Sequence, residues 1–309
     1  MGIVVFGAVL MDIKGYPIGT FYAEGRNVGR VMQVHGGVAR NVAEDIANVE
    51  LKPTFVTILD ESGMSTEVLE KLKRHNINVD YIRKSKDGLG RWLAVFDNDG
   101  DVVASISQRP DLSLIDTILD EQGDEIIKNC DSVVAEIDME SDTLKRIFNL
   151  AEKYHKDVYA VVSNMSIAME RRDLLSRTGC VVCNLQEAGL LFSENYETTT
   201  HEEMCEKLTA RIRGAKIKKM VVTMGSEGAV YADDKGNSGF CPAWKVNVVD
   251  TTGAGDSFFS GVAIGLTYGK TLGESCEIGT RLAASVIATR ENVCPRFNPE
   301  EFGLNVKRK

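Results

Sequence analysis

Short apolar runs alternate along the chain with longer segments whose apolar residues return every three or four positions. The runs "IVVFGAV" (3–9), "TFVTIL" (54–59), "SVVAEI" (132–137), "VYAVVS" (158–163), "CVVCN" (180–184) and "KMVVTMG" (219–225) read as buried strands. Segments 39–49, 65–75, 143–155, 170–178 and 202–214 read as the helices between them, and 254–268 and 272–290 close the chain as two more. Continuous Val/Ile strands separated by helices predict an α/β protein with a mostly parallel sheet covered on both faces. No internal repeat or low-complexity tract interrupts this order.

Two segments break the rhythm. "RWLAVFDNDGDVVASIS" (91–107) holds two strands around Asn98-Asp99-Gly100, a strong hairpin signal. "IKGYPIGTFYAEG" (13–25) is strand-like, with polar residues on alternate positions. Both are antiparallel in character and are expected to pair as one small sheet, an edge decoration or a lid over a site. The layout is one domain over 1–309, with segments of about 13–25 and 81–109 inserted in its core.

Composition narrows the function. The 309 residues are 43% apolar and 26% charged, an ordinary globule with material for a sizeable core. A net charge of −9 argues against nucleic acid or a membrane surface as partner, while leaving room for a local phosphate site. No signal peptide is apparent, because "MGIVVFG" goes straight into a strand, and no apolar run has bilayer length; a cytoplasmic location is expected. The seven cysteines include a C-x-x-C at Cys180 and Cys183. It lies in an apolar strand with no second cysteine pair and no nearby histidine, so buried reduced thiols are expected.

Chemistry concentrates in "VVDTTGAGDSFFSG" (248–261). Val246, Val248 and Val249 read as the end of a strand, and Phe258, Phe259, Val262, Ala263 and Leu266 recur at helical spacing. A strand leading through Thr251-Thr252-Gly253-Ala254-Gly255-Asp256 into a helix aims backbone N–H groups at one point, which suits an anion. The spacing is neither that of the P-loop nor that of the dinucleotide fingerprint. Asp256 fits two roles here, a helix-terminal acid or a base that takes a proton from a hydroxyl attacking a phosphate.

"DTTGAGDSFFSG" closely resembles the C-terminal signature of the ribokinase-like (PfkB) family of sugar and nucleoside kinases, and "HGGVARNVA" (35–43) resembles its N-terminal signature. The resemblance spans essentially the whole chain. It implies a three-layer sandwich with a mostly parallel central sheet and a small β-sheet lid. It implies ATP-dependent phosphotransfer with Asp256 as base, beside an anion hole made by the amides of Gly253, Ala254 and Gly255. Gly36, Gly37 and Asn41 would line the substrate pocket, and Asp12 in "GAVLMDIKGY" would bind substrate hydroxyls. In "NLQEAG", Asn184 and Glu187 match the family's N-x-x-E motif, implying Mg²⁺ organised near the nucleotide phosphates, with Glu187 acting through water; the same spacing also suits a capping box. Thr223, Gly225 and Gly228 in "VVTMGSEGAVY" would lie beside ATP. Asp250 and Thr252, with the loop "ATRENVCPR" (288–296), would contribute to a monovalent-cation site for an ion such as K⁺. Family members often dimerise through their lid sheets.

"GGVARNVA" and "GAVLMDIKGY" look most like the pseudouridine kinase branch, which implies transfer to the 5′-hydroxyl of pseudouridine. On that reading Asp12 and Asn41 hold the ribose hydroxyls. Arg40 marks the branch, and by itself reads as a helix-surface arginine. Kinases of simple sugars or sugar acids are the alternative, followed by a non-catalytic nucleoside or sugar sensor. Ser163 and Asn164 depart from the family, many members of which carry Asp-Pro there.

Overall fold

The computed structural model describes residues 2–304. Strand β1 (Ile3–Phe6) is central because it is wholly apolar: Val4 and Phe6 point to one layer of the core, Ile3 and Val5 to the other. It pairs in parallel with β4 (Thr54–Leu59) on one side and β8 (Ser132–Glu136) on the other. β5 (Ile82–Lys84) and β9 (Val158–Val161) complete a parallel sheet of order β5-β4-β1-β8-β9. A second sheet of order β10-β11-β12-β13 comprises β10 (Val181–Asn184), β11 (Lys219–Thr223), β12 (Gly228–Asp233) and β13 (Ser238–Pro242).

Helices cover both faces. Helices α3 (Leu114–Asn129), α4 (Ser141–Lys153), α7 (Leu185–Phe192) and α8 (His201–Ala215) pack on the Val4 side. On the Ile3 side lie α1 (Val38–Asn48), α2 (Gly63–Arg74), α9 (Ala254–Thr267) and α10 (Leu272–Ile287). The predicted helix over 170–178 is the short α6 (Arg172–Arg177), and a further short helix, α5 (Met165–Glu170), precedes it across Arg171, whose guanidinium donates to the Ile137 and Met139 carbonyls. Helix α3 also stands where the sequence pattern assigns none. Its apolar stripe of Ile115, Ile118, Leu119, Ile126 and Ile127 is buried, but charged residues and Gly123 interrupt it along the chain.

The two antiparallel excursions do form one sheet, of order β3-β2-β6-β7. Its strands are β2 (Leu10–Pro17), β3 (Gly29–Gly36), β6 (Gly90–Phe96) and β7 (Val102–Gln108). The strand expected over 13–25 thus begins earlier and stops at Pro17, residues 18–28 are an irregular connection, and 29–36 supplies a strand the pattern does not announce. Strand β5 belongs to the main sheet rather than to this one. Val246, Val248 and Val249 are not a strand end either. β13 stops at Pro242 and the chain continues irregularly, leaving Val248 64% and Val249 54% exposed; proline has no N–H to continue a ladder.

All seven cysteines are free thiols, and both members of the C-x-x-C are buried, with burial pushing the Cys180 thiol up to about 12. No helix among the described residues is long and apolar enough to cross a membrane.

Candidate active site

The site lies beyond the C-terminal ends of the parallel strands, where open α/β sheets bind ligands. Three segments far apart in sequence converge there: the start of the small sheet with Asp12, the β3–α1 turn, and the first turn of α9.

Gly253 begins α9 at φ +82°, a left-handed conformation that glycine adopts without steric cost. The turn exposes the Gly253 and Gly255 amides, which among the described residues have no backbone acceptor. Ala254 differs from expectation: its N–H donates to the Thr251 carbonyl at 3.2 Å, so the tight turn itself occupies that amide. Asp256 sits in the first helical turn and its Oδ2 accepts from Asn41 Nδ2 at 2.6 Å, across 215 residues of sequence. Burial pushes its carboxyl up to about 6; the Asn41 hydrogen bond and the Arg40 guanidinium draw it down, and Asp12 raises it. That asparagine is placed by α1, which Gly37 enters at φ +97°. Gly36 packs so closely on Asp12 that an added Cβ would lie 2.2 Å from its Oδ1. Asp12, Gly36, Gly37, Asn41 and Asp256 therefore form one wall.

Two residues here carry no signature in the sequence motifs. Glu136 ends β8, is 7% exposed, and accepts from the Ala8 N–H at 2.9 Å. Its carboxyl is pushed up to about 7 by burial and by the charges of Asp138 and Asp256. The signal was present: an acid closing the otherwise apolar run "SVVAEI". Asp45 is fully buried behind Asp256 and accepts from Ser257 Oγ at 2.8 Å and the Cys294 N–H at 2.7 Å; burial pushes it up to about 7. Arg40 departs from the surface reading, being fully buried with its guanidinium on Glu44 at 2.7 Å.

Strands β2 and β3 extend this wall outward. Lys14, Tyr16, Met32 and Val34 face Asp250, Thr252 and Asn292 across a cleft of about 790 Å³. Asp250 is tied into its own turn, accepting from the Thr252 N–H at 2.8 Å.

Asn184 and Thr223 are register partners at the ends of β10 and β11. The Asn184 side chain accepts from the Glu187 N–H at 2.8 Å and Glu187 Oε2 accepts from the Asn184 N–H at 2.8 Å, so the motif is a complete capping box. Burial raises the Glu187 carboxyl. Thr223, Gly225 and Gly228 form the turn between β11 and β12. Asn164 caps α5, accepting from the Ser166 N–H at 3.0 Å, while Ser163 draws the Asp138 carboxyl downward against the burial that raises it.

This fold, with a carboxylate at a glycine-built helix start, fits a phosphotransferase of the ribokinase-like kind, and residues 2–295 match the pfkB family of carbohydrate kinases; the chain belongs to that family and is a kinase. It is 35% identical over 292 residues to the guanosine-inosine kinase of Exiguobacterium acetylicum, covering 94% of this chain and 95% of that protein. It is 24% identical over 277 residues to the pseudouridine kinase of Escherichia coli, covering 88% of this chain and 86% of that one. The ribokinase of Arabidopsis thaliana, solved with ribose and ATP, superposes with a TM-score of 0.81 at 20% identity over 99% of both chains. ATP use and a sugar or nucleoside substrate follow from the family.

Proposed function

We propose that the protein transfers the γ-phosphoryl group of ATP to the 5′-hydroxyl of a nucleoside. The observation that carries the nucleoside over a bare sugar is the 35% identity to guanosine-inosine kinase along almost the whole chain. It ranks inosine and guanosine first. Pseudouridine stands second, supported by the Gly36-Gly37-Val38-x-Arg40-Asn41 pattern and the more distant relative.

In this reading Asp12 and Asn41 hold the ribose hydroxyls and Asp256 takes the proton as the 5′-oxygen attacks phosphorus. A carboxyl near 6 suits the task, because it is about nine-tenths ionised at pH 7 yet basic enough to accept a proton. The Gly253 and Gly255 amides and the α9 N-terminus stabilise charge on the transferred group, with Ala254 shaping the turn. Thr223, Gly225 and Gly228 flank the nucleotide. Mg²⁺ supplies neutralisation of phosphate charge when bound. Glu187 and Asn184 fit it as holders of its water ligands, since both are hard oxygen donors already braced by their capping box. Asp250 and Thr252 would border a K⁺ site. The β3-β2-β6-β7 sheet acts as the lid that excludes water.

The outer face of that lid also supports a homodimer. Val31 and Ile106 are each 70% exposed and Leu93 43%, so lid-to-lid pairing would bury them; sedimentation of Ile106→Asp as a monomer beside a wild-type dimer would bear this out, and a wild-type monomer would refute it.

Release of ADP with Mg²⁺, K⁺ and ATP, measured against inosine, guanosine, pseudouridine, uridine, ribose, fructose and 2-keto-3-deoxygluconate, tests the function. Selective turnover of a nucleoside, with the phosphate on O5′ by NMR, is expected. Preference for a plain sugar would refute the nucleoside assignment and retain the kinase. Binding without turnover would refute catalysis and indicate a sensor.

A further inference from the structure

We infer that Arg40 is a positioning residue, which locks the end of lid strand β3 to helix α1 and so sets where Asn41 holds the Asp256 carboxylate. Its kinetic consequence rests on the kinase reading of this site; its geometry does not.

Arg40 is the bulkiest fully buried side chain among the described residues. Its guanidinium is used in three directions. Nε donates to the Gly36 carbonyl at 3.3 Å, Nη2 donates to the His35 carbonyl, and Nη1 donates to Glu44 Oε1 at 2.7 Å. The two carbonyls are the last of β3. A planar fork reaches consecutive carbonyls and a carboxylate together, which the single ammonium of lysine does not. Glu44 is itself buried, and its Oε2 meets Lys71 Nζ of α2 at 2.9 Å. The C-terminal loop joins the same point, since Asn292 Nδ2 donates to the His35 carbonyl at 2.9 Å.

Gly37, which caps α1, has no side chain with which to hold this junction, and Arg40 does so from inside the helix. The next residue, Asn41, donates its backbone N–H to the Gly37 carbonyl at 2.9 Å and its side-chain N–H to Asp256. Gly36 in turn packs on the Asp12 carboxylate. A shift of the turn therefore moves one substrate-binding acid and the partner of the base together. A buried charged pair of this kind is weak evidence for stability alone, because neutral packing often replaces it without loss. Arg40 also acts through its charge. Asp256 is faced by Asn41, Arg40 and Asp45 of α1, Asp12 of β2 and Glu136 of β8, and Arg40 is the one cation in that set, drawing both Asp256 and Asp12 downward. His35, beside it, is held neutral-favouring by burial and by the same guanidinium.

The test compares wild type, Arg40→Lys and the charge-neutral pair Arg40→Met with Glu44→Met. Two measurements need no substrate: amide hydrogen exchange over residues 29–37, and the ¹³C carboxyl titration of Asp256, assigned by its loss in Asp256→Asn. The neutral pair is expected to exchange at least tenfold faster at 29–37, to titrate Asp256 at higher pH, and to lower nucleoside kcat/KM at least tenfold. Arg40→Lys is expected to loosen 29–37 while keeping the Asp256 titration near wild type. A folded neutral pair with wild-type exchange and titration would overturn the inference and leave Arg40 a packing residue. Should the neutral pair fail to fold, Arg40→Lys decides, and wild-type exchange in it would overturn the inference equally. A wild-type protein that phosphorylates no nucleoside would refute the proposed function, while exchange and titration would still judge Arg40.

Discussion

Replacing Gly253 with alanine is predicted to perturb the proposed anion hole through backbone geometry alone. The residue sits at φ +82°, and an added Cβ would lie 2.1 Å from the Asn292 carbonyl oxygen and 2.7 Å from its carbon. Left-handed backbone costs an L-residue about 1–2 kcal/mol. The contact must also open from 2.1 Å to at least 3.0 Å, and its partner is backbone, so either the 292 loop retreats or the first turn of α9 unwinds. The loop resists because Asn292 is bonded to the His35 carbonyl at 2.9 Å. At about 2.1 cal/mol/K of unfolding entropy per residue, a chain of 309 residues loses roughly 1.5 °C of Tm per kcal/mol, so strain alone predicts a fall of about 1.5–3 °C. Misplacing one preorganised amide donor costs about 10²–10³ in kcat. Thermal melts and initial rates of ADP release at saturating nucleoside check both numbers. A variant with unchanged Tm and kcat within threefold of wild type would refute the role given to this turn.

Gly36→Ala pushes a methyl group into the Asp12 carboxylate, so the nucleoside KM is expected to rise about tenfold or more, as for loss of a hydrogen bond to a charged group, while the KM for ATP stays put; equal changes in both would refute the assignment of Asp12. Asp45 and Glu136 keep their protons to about pH 7 in the folded chain but only to about 4 when unfolded. The folded state thus binds the proton more tightly, and the stability this contributes is full below the unfolded value and lost as pH rises through 7. Tm is expected to fall between pH 6 and pH 8, and less so in Asp45→Asn; a flat or rising Tm in both proteins would contradict it.

The strands and most helices of the main sheet were legible because each is a local pattern: apolar on every residue, as in β1, or apolar at helical spacing, as in α9. The second strand of the lid was not. β3 has five exposed residues out of eight, "GRVMQ", and its partner is β2, so nothing in its own composition announces a strand. The motif residues Asp256 and Asn41 were nameable from the sequence, yet their 2.6 Å hydrogen bond spans 215 residues and belongs to the fold. Arg40 shows the limit most clearly. As a charged residue on a helix it reads as solvated, and only the approach of β3, α2 and the Glu44 carboxylate makes burial tolerable. Asp45 was hidden for the same reason, since the donors that satisfy it come from Ser257 and Cys294, each more than two hundred residues away; Glu136 was visible as an acid in an apolar run, but its donor, the Ala8 N–H, comes from 128 residues away.

The account turns on Asp256 as the base. The direct measurement is kcat for Asp256→Asn beside the nucleoside dissociation constant of the same protein. Asparagine keeps the shape and presents a carbonyl oxygen to Asn41, so the dissociation constant is predicted to stay within about threefold while kcat falls by about 10²–10⁴, the span of general-base catalysis. A kcat within threefold of wild type, with binding intact, would contradict the claim that this carboxylate takes the proton.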